Sequence, residues 1–572
     1  MDAHKALITG IINNSTLVEV PFFQRSYVWK EDLWQRLLDD MEYVSKTNKP
    51  HFLGSIILKA GAAPKSGDRF SERKTVVDGQ QRLTTFLIFM KVLCLKHREP
   101  TTFDLQFRIM NTIVALRHGR NDIEAFEKVM AMTEPNELPN PAPGSRVIDA
   151  YNFYVKNIDE TKLDIMKIII NTQFVKIDLD ASEDEQQIFD TINSLGVSLT
   201  TSELLKNYFF SRDTIDEYES KWVSIFERDD ESKLYWETEI ETGRIKRALI
   251  DIFFDAYFQI FIQNKKYNIS NDDKTMYERV DNLFLSYQHF INNYCNGDKS
   301  VVLNQMGDYA LCFAQSFQPK LCNMNTPKEF GIKRLNIVIF GLKTSTLIPY
   351  VLYIAQNVHD ENERNKMYGI LESYIMRRIV VHATTKNYNN LFTSLILNGV
   401  LDAHSLSDKL KENNDATTYV PNDEEIQRGF ETSKLINLQS RGIIYLIESQ
   451  IRPDLSSTSL LGFNSYSLEH LMPKKWRNNW QPCQSDEESK NRDSILLTLG
   501  NLAIITQELN TSIRDGNWHT KKAGNRNNPG LDMCAAGLST MFDVLQKDEW
   551  TEKDIEARAE WLSKQATSVW QI

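Results

Sequence analysis

The chain has 572 residues, of which 41% are hydrophobic and 25% charged. At roughly 100–200 residues per domain that length implies about three domains, and the composition is that of a globular protein with sizeable cores. A net charge of −11 excludes a protein that coats nucleic acid over its whole surface, although it leaves room for a local basic site. Apolar stretches such as Phe86–Leu95 are too short for a membrane span and are broken by Lys91. The opening MDAHKALITG has no basic region followed by a long apolar run, so no signal peptide is expected. Six scattered cysteines form no C-x-x-C pair, which argues against a zinc ribbon or a disulfide framework. A cytoplasmic protein with reduced thiols and no membrane association is the simplest expectation.

Residues 1–210 read as mixed α/β. Ser55–Lys59, Thr75–Val77 and Phe174–Leu179 have strand character, and Gln80–Lys96 reads as a helix after a turn at Asp78-Gly79. Met132–Gly144, with four prolines, reads as a loop. Glu183–Asn193 and Ser202–Phe210 read as helices, the second capped by Thr201 or Ser202. Residues 211–455 show helical spacing of apolar positions at Leu249–Phe261, Leu347–Ala355, Met367–Val381 and Arg441–Ile451, which predicts a helical connecting region. Glu412–Asp423 is polar and reads as a loop. Residues 456–572 form a third part. Within them, Asn464–Gly530 carries nine Lys/Arg against seven Asp/Glu, a net of +2, so the rest of the chain carries −13.

In this third part Glu469-His470 stands just before Pro473, Asn501 follows His470 by 31 residues in the turn Leu499-Gly500-Asn501-Leu502, and Asn510 comes nine residues later. This spacing predicts a two-stranded hairpin followed by a helix. Phosphodiester hydrolysis needs a base and a hard cation. An imidazole can take a proton at neutral pH, and a carboxylate with an amide oxygen suits Mg²⁺. A Glu-His pair alone is more often structural than catalytic, so the ordered set carries the signal. That set, with the Lys521-Lys522 pair that follows, resembles the HNH superfamily and, more narrowly, the C-terminal domain of GmrSD-type restriction endonucleases. The resemblance implies a ββα-metal nuclease with His470 as general base and Glu469 and Asn510 as ligands of Mg²⁺ or Mn²⁺. It implies that Asn501 braces the loop, and that Lys521 and Lys522 fill the family's basic position. Arg514 and Arg526 join these two lysines as candidate phosphate contacts on DNA. The third position of H-N-H is Asn here, which keeps an oxygen ligand. His519 is expected at the surface or on DNA.

Near the N-terminus, Asp78-Gly79-Gln80-Gln81-Arg82 falls between an expected strand and an expected helix. Backbone N–H groups and the dipole at such a helix start favour phosphate, and Arg82 adds a fork of donors. Asp78 suits a metal ion, a ribose hydroxyl or simply a helix cap. No G-x-x-x-x-G-K-[ST] loop is present, which excludes a P-loop NTPase. The DGQQR segment is similar to the signature of the ParB-like domain that opens GmrSD-type enzymes and the SspE and BrxU anti-phage effectors. Val20–Trp29 (VPFFQRSYVW), His51–Leu58 (HFLGSIIL) and Ile188–Asn207 (IFDTINSLGVSLTTSELLKN) support that likeness; Leu195 stands where the family often has Arg. Gln24, Arg25, Asn193 and Lys206 join Asp78–Arg82 as implied nucleotide-site residues, while Tyr27 and Trp29 are expected in the core. Tyr374–Arg378 (YIMRR) and Asn387–Leu391 (NYNNL) are similar to recurrent family segments without assigned chemistry.

The resemblance as a whole implies a multidomain α+β protein acting as an NTP-regulated, metal-dependent DNA endonuclease of the modification-dependent class in defence against phage. The N-terminal domain would bind and hydrolyse GTP, ATP or CTP and sense modified or phage DNA. A homodimer would suit double-strand cleavage by one site per chain. Two other readings stay open at this point. One is a nucleotide-switched DNA- or partner-binding protein with an inactive HNH fold, and the other a toxin-like nuclease restrained by a partner.

Overall fold

A computed structural model describes residues 2–21, 26–61, 63–64, 67–119, 122–140, 144–180, 200–210, 214–242, 245–454, 459–525 and 528–572. The chain divides into two compact units, Met1–Glu219 and Ser220–Ile572. Among the described residues no helix is long and apolar enough to cross a membrane.

The first unit is built on a mixed sheet. Its strands are β1 (Asp2–Leu7), β2 (Thr16–Glu19), β3 (His51–Ala60) and β4 (Glu72–Asp78), then β7 (Leu116–Arg117) and β8 (Thr172–Leu179); β5 (Arg108–Ile109) and β6 (Ile113–Val114) form a separate hairpin. The order in the sheet is β1-β8-β3-β4-β2-β7. The β3–β8, β2–β4 and β2–β7 pairs are parallel, and β1–β8 and β3–β4 antiparallel. The helix Gln80–Lys96 is apolar on all sides, and every residue from Leu83 to Leu95 is buried. A helix with that pattern belongs inside a core. Lys91 is buried with its ammonium over the Phe103 ring at 5.1 Å. The expected strands and this helix are present. Tyr27 lies in the core and Trp29 packs against it. The helix Thr201–Phe209 is capped by Thr200, not by Thr201 or Ser202, because Thr200 and Glu203 close a reciprocal capping box. The helix expected over Glu183–Asn193 lies outside the described residues.

The second unit is mainly helical and joins the expected middle and C-terminal parts. The helices Leu249–Ile262, Ile348–Asn357, Glu361–Val380 and Asn437–Ile451 cover the segments whose spacing predicts them. One hairpin, β9 (Glu239–Thr242) with β10 (Ile245–Ala248), interrupts the expected all-helical stretch. The packing shows why residues 220–572 form one body. Arg334 and Glu372 make a buried two-pronged ion pair at 2.9 and 2.6 Å, and the Trp570 indole donates to the same carboxylate at 3.3 Å. Arg377 donates to the Trp570 carbonyl at 2.6 Å. Glu448 accepts the Ser539 and Thr540 N–H groups at 2.8 and 2.7 Å. The YIMRR and NYNNL segments meet where Arg378 donates to the Tyr388 hydroxyl at 3.1 Å, so this part of them is structural.

Candidate active site

The sequence Tyr466–His470 forms strand β11 and Leu502–Thr506 strand β12. They pair antiparallel with Glu469 opposite Ala503 and His470 opposite Leu502. The helix Gln507–Ile513 follows at once, capped by Thr506. The chain between the strands returns through the helices Trp476–Asn479 and Asp486–Ile495. Glu469, His470, Asn501 and Asn510, up to 41 residues apart in sequence, thus come onto one hairpin and its helix.

Asn501 is fully buried and spends its whole amide on the loop. Its oxygen accepts from Met472 N at 2.8 Å and Trp550 Nε1 at 3.1 Å, while its Nδ2 donates to Met472 O at 2.8 Å and Leu496 O at 3.0 Å. It is a brace with no face left for substrate. Gly500 beside it admits no side chain, since a Cβ would strike the Ile555 carbonyl. Arg558 fills the space behind, donating to the Gly500 and Leu502 carbonyls at 2.8 and 2.7 Å. Trp550 and Arg558 carry no motif of their own; only their burial in the fold reveals them.

Asn510 donates from Nδ2 to Ser467 Oγ at 3.0 Å and Leu468 O at 2.9 Å, and its Oδ1 accepts no hydrogen bond among the described residues. His470 is half-buried, and burial, aided by Lys474 and Lys521, holds its imidazole down at about 4. It is therefore neutral at physiological pH, able to accept a proton. An arriving DNA phosphate would raise its basicity, because a nearby anion favours the protonated ring.

Glu469 is buried against Lys521, whose ammonium donates to Glu469 Oε1 and, at 2.7 Å, to the His470 carbonyl. Burial pushes the carboxyl up and the ammonium down, and each is countered by the other's charge. Lys521, expected among the phosphate contacts, is thus fully buried inside the site. The reason is helical geometry. Lys521 and Lys522 lie side by side on the helix Trp518–Ala523, and one faces inward while Lys522 reaches the Lys547 carbonyl at 3.0 Å. Arg514 and His519 are exposed, and Arg526 lies outside the described residues.

No group of three His, Cys, Asp or Glu side chains converges among the described residues. The donor set nevertheless fits a hard divalent ion. Asn510 Oδ1 is available, and Lys521 takes only one Glu469 carboxylate oxygen. Mg²⁺ needs few protein oxygens because it keeps several waters.

In the first unit, Asp78 ends β4 and Gly79 turns the chain with φ +98° into the helix Gln80–Lys96. A side chain at Gly79 would collide with Ile56. Arg82 donates to Asp78 Oδ2 at 3.1 Å and to the Ser55 carbonyl. Gly54, at φ +116°, leaves room for it, since a Cβ there would lie 3.0 Å from the guanidinium. Gln80 and Gln81 are buried; Gln81 accepts from Val28 N at 3.0 Å and donates to Ser26 O at 3.3 Å. Lys206 is half-buried on the helix Thr201–Phe209. Gln24, Arg25 and Asn193 lie outside the described residues.

The model of the GmrSD restriction endonuclease N-terminal domain matches residues 7–210, and that of the GmrSD restriction endonucleases C-terminal domain matches residues 420–565. The chain belongs to the GmrSD restriction endonuclease family. No curated protein matches it. Membership supports a restriction endonuclease in defence whose substrate is DNA. The GmrSD N-terminal match spans the DGQQR turn. The C-terminal match contains the hairpin, its helix, Lys521, Trp550 and Arg558, and takes in the helices Asp423–Thr432 and Asn437–Ile451 as well.

Proposed function

We propose that this protein is a metal-dependent DNA endonuclease whose cutting by an HNH-type ββα site in residues 466–513 is governed by NTP bound in the N-terminal unit. The observation that carries the nuclease reading is the half-buried His470 at the end of β11, on the same hairpin–helix as Asn510, where burial lowers its imidazole. His470 takes a proton from water. The water oxygen forms a bond to phosphorus, the bond from phosphorus to the leaving sugar oxygen breaks, and that oxygen collects a proton from solvent. A divalent ion held by Glu469 and Asn510 would supply stabilisation of charge on the phosphate and the leaving oxygen. Arg514 and Lys522 are the described candidates for phosphate contacts, with Arg526 of the same basic stretch.

The nucleotide reading rests on the Asp78–Arg82 turn, which puts backbone N–H groups and Arg82 at a helix N-terminus. The NTP would be GTP, ATP or CTP. The DNA substrate in this reading is modified or phage DNA, and a homodimer would place two nuclease sites for cutting both strands.

The test is cleavage of plasmid and phage DNA, modified and unmodified, with Mg²⁺ or Mn²⁺ and with or without each NTP. Metal-dependent cutting lost in His470→Ala, with the NTP response lost in Arg82→Ala, supports both halves. A wild-type protein that binds NTP yet cuts nothing under any of these conditions would favour a nucleotide-switched binding protein.

A further inference from the structure

Lys521 is the fully buried cation at the nuclease site, and it stands 52 residues from the carboxylate it meets. Its ammonium bridges two acceptors, Glu469 Oε1 and the His470 carbonyl at 2.7 Å. The His470 backbone N–H in turn favours the charged Glu469 carboxylate. The peptide groups on both sides of His470 are thereby tied to one buried ion pair.

The helix bearing Lys521 is itself fixed. Asn517 caps it through Thr520 N at 2.9 Å, and the Trp518 indole donates to the Lys547 carbonyl at 3.1 Å. Trp518 stacks on Trp550 with ring centroids 5.6 Å apart, and Trp550 reaches Asn501. Behind the helix, Gly530 is packed so closely against Gly524 and the Lys522 carbonyl that no Cβ fits. A cation so enclosed cannot reach a DNA phosphate without dismantling the helix end, and it holds one carboxylate oxygen while leaving the other.

We propose that Lys521 is a positioning residue: it fixes the Glu469 carboxylate so that a single oxygen faces the divalent ion, and it fixes the His470 backbone that carries the base. The inference rests on the metal-dependent nuclease reading above. Groups that orient a metal ligand by hydrogen bonding commonly change metal affinity by about 10–100-fold when removed.

The experiment uses the full chain as wild type, Lys521→Met, Lys521→Gln and Lys522→Met. Mn²⁺ binding is followed by calorimetry, DNA binding without metal by anisotropy, and cleavage by kcat and KM. Lys521→Gln keeps a donor for both acceptors and covers the case in which the Met variant does not fold. Positioning predicts Mn²⁺ binding weakened about 10–100-fold by Lys521→Met and less by Lys521→Gln, with kcat lowered, KM for DNA steady and DNA affinity unchanged. Lys522→Met keeps wild-type Mn²⁺ affinity. Three results would overturn the proposal: unchanged Mn²⁺ affinity in both Lys521 variants, tighter Mn²⁺ binding, which would make the ammonium a competitor, or lost DNA affinity, which would make it a phosphate contact. If the wild type itself binds no Mn²⁺, the metal reading fails, and the DNA-affinity measurement alone decides between an internal clamp and a phosphate contact.

Discussion

The indole of Trp550 donates to the side-chain oxygen of Asn501 at 3.1 Å, across 49 residues of sequence. The same oxygen accepts from Met472 N at 2.8 Å, so one amide joins the chain leaving β11, the turn entering β12 and the helical region after the site. Asn501→Ala would leave several buried groups without partners. Each such group costs about 1–3 kcal/mol, whereas Trp550→Phe removes one bond worth about 1 kcal/mol together with part of a buried ring stacked on Trp518. The expected outcome is a large drop in urea midpoint and lost cleavage for Asn501→Ala, and a smaller drop for Trp550→Phe. Eight of the ten tryptophans lie in residues 220–572, so intrinsic fluorescence reports mainly on this unit. An Asn501→Ala protein as stable as wild type would show that the brace carries little.

The buried histidines set a pH dependence. The folded chain holds His470 at about 4 and His118 at about 3, against an ordinary value of 6.5. Below 6.5 the unfolded chain takes up protons that the folded chain refuses, so the stability contribution is whole above 6.5 and is lost as pH falls toward 4. At about 1.4 kcal/mol per unit, His470 accounts for at most about 3.5 kcal/mol of that loss. Urea unfolding at pH 7.5, 6 and 5 should show falling midpoints, with a shallower fall in His470→Asn; equal slopes would contradict the depressed imidazole. Above pH 5 the free enzyme already has neutral His470, so kcat/KM for cleavage should change little between pH 6 and 8, and His470→Ala should cut about 10²–10⁴-fold more slowly.

The parts legible in the sequence are those set by local pattern. The helix Gln80–Lys96 follows from a D-G turn ahead of an unbroken apolar run, and the hairpin from E-H-x-x-P and L-G-N-L, whose glycine and asparagine the packing requires. What the sequence hides is set by distant partners. A Lys-Lys pair reads as a basic surface, and nothing near it says that Lys521 points at Glu469. Trp550 and Arg558 look ordinary until the fold places them on Asn501 and Gly500. The polar Glu239–Ala248 segment shows neither helical spacing nor strong strand character, and it pairs with itself as β9 and β10.

Gly54 and Arg82 give a test of the first unit, with Gly399 of the second unit as the control. A side chain at Gly54 would meet a left-handed backbone, at φ +116°, and the Arg82 guanidinium at 3.0 Å. At Gly399, with φ +63°, an added methyl would have no heavy atom within 4 Å and would meet only the backbone cost. That cost is about 1–2 kcal/mol. Gly54→Ala should therefore weaken nucleotide binding as well as stability, and Gly399→Ala stability alone. Arg82→Ala should weaken nucleotide binding about 10–100-fold, as expected for a charge-assisted contact worth about 1.5–3 kcal/mol. Nucleotide affinity untouched by both Gly54→Ala and Arg82→Ala would remove this turn from the binding site.

The Arg334–Glu372 pair makes a sharper prediction about the second unit. Both side chains are buried, and Glu372 also receives the Trp570 indole near the end of the chain. Removing one partner leaves a charge in the core, at a cost of about 3–5 kcal/mol, whereas replacing both with apolar groups is often neutral. Glu372→Leu alone should be strongly destabilising, and Arg334→Met combined with Glu372→Leu should recover most of the loss. Trp570→Phe, which gives up the indole N–H and part of a fully buried ring, should cost about 2 kcal/mol, less than Glu372→Leu. A double variant no better than the singles would mean that the remaining donors, from Arg334 to Ser449 and the Pro327 carbonyl at 2.7 and 3.0 Å, outweigh the ion pair itself.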